Sequence, residues 1–554
     1  MPACDPISFA TLPGWRIIAE PAALDAAPWP AGSQVVRISP DDVFLIGEAE
    51  PTVPADPHAI IAIERGFAAA RLSADDVERI ALHHIEWMLP HHRPALSQGQ
   101  IAGVPAKLVL HASDLTLGER WRAGEVGAAR RWIGADPRGL RRPTRTGGPP
   151  LMNEFVETLL DLPWQTGDPK PAYDVVIIGA GGHGLSTAYH LATRHGITNV
   201  CVLDAGFIGS GNSGRNTTII RSNYGIPESV AFYQHSLEMY QTLEDETGCW
   251  IMHNQKGQIW MAHSVMSART EQTRALMNQA MGAKTDYIGP DEVQRLCPQL
   301  DITGGGRYPV VGASYHHEGA TARHDRVVWA YAQGALRAGV HVFQHTPVTG
   351  LIKSGDRVTG VRTPKGDIAA GTVISAVGGH ATTVANWAGV RIPIRTHALQ
   401  AFVTNAYSQY LAPIVSSSDL VFYVSQTPRG QMLIGAEFDR FASYRQATSF
   451  SYLQACSKKV ITMLPFMANL RILRSWAGIC DVSTDFSPIM GHTGVDGFMI
   501  STGWGTWGFK AIPAGGEQMA QLVATGSAPL IAPFSLDRFA KEAAMADPSS
   551  AGTR

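Results

Sequence analysis

The sequence predicts an α/β fold of the Rossmann-like type, accompanied by α+β parts, and three observations carry that prediction. An apolar run at 175–178 ends in Gly179-x-Gly181-x-x-Gly184. A helix-compatible run at 185–193 follows, then a second apolar run at 200–203. Asp204 closes that second run. Strand, glycine turn, helix, strand and acid form the signature of a dinucleotide site. The first glycine allows the tight turn, and the second lets the backbone approach a pyrophosphate. The third lets helix pack on strand, and the helix N-terminus attracts the phosphates. The acid can bind a ribose hydroxyl, although Asp204 lies 25 residues after Gly179, slightly beyond the usual interval of about 20.

The chain has 554 residues, 45% of them hydrophobic, enough for several domains with real cores. Its net charge of −2 argues against general nucleic-acid binding. The six cysteines (Cys4, Cys201, Cys249, Cys297, Cys456, Cys480) form no C-x-x-C pair, so neither a zinc knuckle nor a disulfide framework is expected. A reducing, cytoplasmic compartment is the expectation. The N-terminus lacks the pattern of a signal peptide, and no apolar run approaches the ~18 residues of a spanning helix. No membrane association is expected.

Residues 1–136 read as a small α+β module. Short strands are predicted at 35–38, 43–46 and 103–110. Ser73 with an acid at Asp76 suggests the start of a helix running to about Trp87. His83, His84, Glu86, His91 and His92 cluster there, but Pro90 breaks the spacing and no metal site is expected. Residues 137–171 form a linker whose first part is rich in proline, glycine and arginine.

Beyond Asp204 the nucleotide domain is expected to be discontinuous. Segments 172–250, 320–395 and 470–545 build it, with further strands at 342–350, 357–362 and 372–376. A last apolar segment at 498–502 leads through Gly503-Trp-Gly-Thr-Trp-Gly-Phe-Lys510 into a final helix from about Pro513. Segments 250–320 and 395–470 are expected to form a mixed-sheet second domain over the cofactor, an interface where ligand sites commonly lie.

From about Leu160 to Phe534 the chain resembles the beta subunits of heterotetrameric sarcosine oxidase, members of the D-amino-acid-oxidase-like flavoprotein superfamily. The resemblance rests on Gly181-Gly-His-Gly184, His195-Gly-Ile-Thr-Asn-Val200 and Arg215-Asn-Thr-Thr-Ile-Ile-Arg-Ser-Asn-Tyr224. It continues through Arg307-Tyr-Pro-Val310, Val424-Ser-Gln426, Gly503-Trp-Gly-Thr506 and Gly508-Phe-Lys510. Residues 1–136 resemble, more weakly, a gamma subunit of the same complexes, which implies a fused pair of subunits.

The resemblance implies an FAD-binding domain of the glutathione-reductase type with FAD bound noncovalently. Gly179, Gly181, Gly182, His183 and Gly184 would lie at the pyrophosphate and Asp204 at the adenosine ribose. Asn212, Arg215, Asn216, Thr217 and Ile219 would pass the flavin, and Val348 would meet the adenine. Gly505, Thr506, Gly508 and Lys510 would stand before the last helix, whose start favours negative charge on the reduced flavin. The resemblance also implies a second flavin, FMN, bound covalently to His324 with Arg323 at its phosphate. Arg221 and Lys510 would clamp the carboxylate of an amino-acid substrate, a task that suits arginine's planar fork.

The implied activity is oxidative demethylation of sarcosine or a similar N-methyl or secondary amino acid, giving formaldehyde and the demethylated amino acid. It would take place in a complex with alpha-type and delta-type subunits. One departure stands out. The family carries a histidine before the Tyr-Val-Ser-Gln strand, whereas residues 417–423 here contain none. Alternatives are therefore an N-methylglutamate- or opine-type dehydrogenase subunit, or a non-catalytic electron-relay or assembly subunit. An NAD-dependent dehydrogenase fits the Gly-Trp-Gly-Thr segment poorly.

Overall fold

The computed structural model describes residues 162–545 apart from 164, 166 and 542, together with residues 21–30 and 51–52 and the strands between Phe9 and Ala135. The chain divides into two units, Met1–Leu162 and Pro163–Arg554.

In the first unit five strands pair antiparallel in the order Phe9–Thr11, Ala68–Leu72, Arg131–Ala135, Val104–Leu110 and Ala95–Ile101. A second sheet joins Gln34–Ser39, Asp42–Ile46, Gly14–Ile18 and Ile60–Glu64. The predicted strands at 35–38, 43–46 and 103–110 are present. The helix expected from Ser73 to Trp87, the His83–His92 cluster and the 137–150 segment lie outside the described residues.

The second unit opens with strand Ala172–Ile178 at the centre of a sheet. Val175, Val176 and Ile177 are buried on both faces, as the continuous apolar run requires of a parallel strand. Strands Val200–Leu203 and Gly366–Ser375 flank it in parallel, and His341–Phe343 extends the sheet beyond Val200–Leu203. Phe498–Thr502 joins parallel to Gly366–Ser375. Strands Gly350–Ser354 and Arg357–Thr363 add an antiparallel hairpin. The strand expected across 342–350 is corrected to two pieces. The chain leaves the sheet after Phe343, turns through His345 at φ +51°, and pairs again only from Gly350.

Helix Gly182–His195 packs on this sheet and ends at Gly196 in the left-handed conformation, with Arg194 and His195 in its last turn. Helix Ile512–Thr525 lies against it, and Gly516 permits the approach: a Cβ there would sit 2.1 Å from Ser186 Oγ.

The remaining large sheet has eight strands. Their order is Thr285–Ile288, Gly312–His316, Gln258–Ala262, Ile414–Ser417, Phe422–Gln426, Gln431–Ala442, Ile394–Ala406 and Ile472–Ser483. It is antiparallel except where Gln258–Ala262 meets Ile414–Ser417. Its apolar face, including Ile259, Val415, Val424 and Ile434, packs with Cys456, Val460 and Met463 of helix Phe450–Met463. The architecture is the expected α/β nucleotide fold joined to a mixed sheet, except that strand Ile472–Ser483, expected in the nucleotide domain, pairs with Ile394–Ala406 in the mixed sheet. No described helix is long and apolar enough to cross a membrane.

Candidate active site

The glycine loop owes its shape to close contacts. Gly179 sits at φ +109°, and a Cβ there would stand 2.5 Å from the Ala376 carbonyl oxygen. A Cβ at Gly184 would stand 2.0 Å from the Gly179 oxygen, so the third glycine is the point where helix meets turn. The Gly182 N–H donates to Ser213 Oγ at 2.9 Å, tying the helix start to the following loop.

Asp204 accepts the Ala180 N–H at 2.7 Å and the Gly206 N–H at 2.8 Å, one on each oxygen. Burial raises its pKa and the two donors oppose that rise. The carboxylate therefore fixes the turn as well as lining the cavity.

His183 lines the cavity and also ties two loops together. Its ring stacks on Trp504, with centroids 3.9 Å apart and planes 11° from parallel, and Nε2 lies 2.9 Å from the Gly508 carbonyl. Burial lowers its pKa to about 3, so the ring is neutral. Asn212 uses its amide as a false strand residue: Nδ2 donates to the Ile479 carbonyl and Oδ1 accepts the Ile479 N–H at 2.8 Å. Arg215 donates to the Gly211 carbonyl at 2.9 Å while its own carbonyl accepts Trp476 Nε1 at 2.7 Å. Asn216 Oδ1 accepts the Thr218 N–H at 2.8 Å and steadies Thr218 at φ +63°. Thr217 donates to the Tyr423 hydroxyl at 3.1 Å.

The loop before the last helix is organised by Asp481, 1% exposed, which sequence reasoning missed. Its Oδ2 accepts Thr502 Oγ1 at 2.9 Å, the Gly503 N–H at 2.7 Å and the Trp504 N–H at 3.2 Å. Its carbonyl accepts the Gly505 N–H at 3.0 Å.

Arg221 is buried between two aromatic rings, 4.2 Å from the Tyr224 centroid and 4.7 Å from that of Trp260. It donates to the Asn223 carbonyl at 2.9 Å. Lys510 donates to the Thr506 carbonyl at 3.2 Å. Burial first, and the charge of Arg221 second, lower the Lys510 pKa well below its ordinary value. Two cations so placed favour an anion between them.

All but three of the expected site residues line a single cavity of about 730 Å³. It runs from the glycine loop and Val348, past Asn212 to Ile219, to Gly505, Thr506, Gly508 and the Arg221–Lys510 pair. The exceptions are Gly184, which is used in packing, and Arg323 and His324. Arg323 is held by Asp325, with Nε 2.9 Å from Oδ1. His324 begins helix His324–Arg337 and bonds to the Gly214 backbone. The 3-10 turn Asn212–Arg215 thus has the cavity on one side and His324 on the other. Burial, with Asp325 opposing and Arg323 assisting, lowers the His324 pKa.

Sequence reading also missed Gln258, Trp260 and Arg274, which line the cavity from strand Gln258–Ala262 and helix Val265–Ala280. Where the family histidine was expected, Ser416, Ser417 and Ser418 line the wall; Ser417 Oγ lies 2.9 Å from His263 Nε2.

The cavity suits FAD. Gly181 and Gly505 border it without side chains, and a helix N-terminus opens onto one end. A glycine-loop nucleotide fold feeding a cavity lined by buried cations has the build of a flavin-dependent oxidoreductase. The chain belongs to the FAD dependent oxidoreductase family, whose model matches residues 174–522. Within it, the chain is 42% identical over 388 residues to sarcosine oxidase subunit beta of Rhodobacter capsulatus, covering 70% of this chain and 93% of that one. The corresponding subunit of Arthrobacter sp is 40% identical over 390 residues, 70% of this chain and 95% of its own length. Among solved structures, L-proline dehydrogenase from P. horikoshii matches with a TM-score of 0.64 and 27% identity, covering 68% of this chain and 99% of that one. Glycine oxidase from Geobacillus kaustophilus, at 22% identity and TM-score 0.61, covers 67% of this chain and 99% of that one and supports the fold.

Proposed function

We propose that this chain is the amine-oxidising flavoprotein subunit of a sarcosine oxidase-like complex, acting on sarcosine or a similar N-methyl amino acid. The observation that carries the proposal is the pair Arg221 and Lys510, buried together at one end of the cavity that begins at the glycine loop.

The residues have divided tasks. Gly181, Gly182 and the helix start hold the pyrophosphate, and Asp204 holds the adenosine ribose while fixing the turn. Val348 borders the adenine. Asn212, Arg215, Asn216, Thr217 and Ile219 form the wall beside the flavin, and Gly505 to Gly508 the segment before the last helix. A bound flavin supplies the two-electron oxidant for the carbon–nitrogen bond. Arg221 and Lys510 grip the substrate carboxylate and so orient the N-methyl group. Trp260 and Tyr224 close the sides of the grip and exclude water from it.

His324 is the attachment point for a covalent FMN, and Arg323 faces its phosphate. A ring kept neutral by burial retains the lone pair that such a bond needs. The alpha-type and delta-type subunits complete the complex, and residues 1–136 serve assembly as a fused gamma-like module.

Anaerobic addition of sarcosine to the FAD-loaded full chain should bleach the flavin absorbance near its yellow maximum. Unchanged absorbance with every N-methyl amino acid tried would overturn the activity. For the second flavin, the whole complex is precipitated with acid: fluorescence should stay with the protein and vanish in His324→Ala. Flavin that is wholly extractable refutes the attachment.

A further inference from the structure

Arg274 stands in the cavity wall without a task in the reaction described above. It projects from helix Val265–Ala280, which a capping box at Ser264 and Ser267 starts firmly. Glu271, Arg274 and Asn278 share the buried face of that helix at spacings of three and four. The Arg274 guanidinium lies over the Trp260 ring, 5.3 Å from its centroid. The same indole carries Arg221 at 4.7 Å. All three residues line the cavity.

The side chain of Arg274 is 2% exposed. Nη1 lies 3.0 Å from Glu271 Oε2, which balances its charge. Apart from this ion pair, Nε, Nη1 and Nη2 meet no hydrogen-bond acceptor among the described residues. Glu271 is engaged elsewhere: it accepts Ser314 Oγ at 2.7 Å and Ser418 Oγ at 3.2 Å. A buried guanidinium carries five N–H donors, and leaving them unmet is costly. An arginine over an indole face can still present its in-plane fork of donors, the geometry that grips a carboxylate in bidentate fashion.

We propose that Arg274 is a second anion site and that the substrate is an N-substituted amino acid bearing a second carboxylate. This rests on the amine-oxidising reading and narrows its substrate class. Arg221 and Lys510 hold one carboxylate, Arg274 holds the other, and Trp260 spaces the two. Glu271 positions Arg274 and keeps the empty site near neutrality.

The test compares sarcosine with N-methyl-L-glutamate and N-methyl-L-aspartate as anaerobic reductants of the FAD-loaded full chain. At least one dicarboxylate should exceed sarcosine in kcat/KM by about tenfold or more, the scale of one charge-assisted bond. In Arg274→Gln that ratio should fall by about tenfold or more, whereas a purely structural residue would lower both substrates and leave the ratio standing. Because Arg274→Gln removes the positive charge beside buried Glu271, the double variant Glu271→Gln/Arg274→Met provides a charge-balanced check on the same ratio. A readout without turnover is the thermal midpoint of the full chain in glutarate against butyrate. Glutarate should raise it more in the wild type, and the difference should vanish in the variant. Sarcosine equal to or better than both dicarboxylates, or a ratio that Arg274→Gln does not change, overturns the second anion site alone. Reduction by none of the three compounds overturns the amine-oxidising reading as well.

Discussion

His183 and Trp504 lie face to face, 3.9 Å between ring centres and 11° from parallel, although 321 residues separate them. One belongs to the glycine loop, the other to the loop before the last helix, so this stack joins two segments of the cavity wall that are distant in sequence. The Gly508 carbonyl, 2.9 Å from His183 Nε2, reinforces it. His183→Ala should cost about 0.5–1.5 kcal/mol of aromatic contact, weakening FAD binding by up to about tenfold. Fluorescence titration of the apoprotein with FAD measures this. An unchanged dissociation constant would mean that the two loops are fixed independently.

Gly184→Ala should be more damaging than its size suggests. The new methyl would meet the Gly179 carbonyl oxygen at 2.0 Å, and that atom is backbone on a turn already at φ +109°. Helix and turn must separate, at a cost of about 1–3 kcal/mol. The purified variant should lose its yellow colour on gel filtration where the wild type keeps it. Gly181→Val should act more directly, by placing a side chain on the cavity wall.

For Arg221 the expected loss is catalytic. Arg221→Met keeps the side chain's apolar bulk between Tyr224 and Trp260 but removes the guanidinium. Loss of one charge-assisted hydrogen bond should cost roughly 1.5–3 kcal/mol, about one to two decades in kcat/KM. Equal kcat/KM on N-methyl amino acids for variant and wild type would discard the clamp.

Lys510 gives the site a pH dependence. Its pKa is lowered by burial and by Arg221, so the charged form is lost at lower pH than for an ordinary lysine. Carboxylate binding should weaken as pH rises through that lowered value. Propionate titrations, followed by the flavin spectrum, should show the trend in wild type and lose it in Lys510→Met. A trend that survives the substitution assigns the titration elsewhere.

Stability at low pH should depend on Glu517. Burial would raise its pKa, but the His235 hydrogen bond and the charges of His235 and Arg194 overcome this and hold it at about 2. A carboxylate whose folded pKa is depressed contributes stability above its unfolded value, and that contribution is lost as pH falls toward the folded one. Between about pH 4.5 and 2 the wild type should therefore lose this contribution, while Glu517→Gln should show a shallower acid slope in a thermal-melt series. Parallel slopes would show that other carboxylates govern acid unfolding.

Local chemistry made much of this protein legible. Gly179, Gly181, Gly184 and Asp204 announce themselves because a nucleotide turn needs specific residues at short, fixed spacing. The runs at 175–178 and 200–203 announce buried parallel strands because both faces must be apolar. Arg221 and Lys510 enter through the family resemblance, carried by the segments Arg215–Tyr224 and Gly508–Lys510.

Arg274, Trp260, Gln258 and Asp481 carry no such mark. Arg274 sits among polar residues on a helix whose sequence reads as an ordinary surface helix, and Asp481 is an acid inside an apolar strand. Their placement depends on pairings across long sequence distances. Gln258–Ala262 lies beside Ile414–Ser417, and Ile472–Ser483 beside Ile394–Ala406. The sequence by itself determined the cofactor loop, because the turn's geometry is written in neighbouring residues. Only the tertiary structure decided which side chains close the other end of the cavity, because a long-range strand register sets which face of each element meets it.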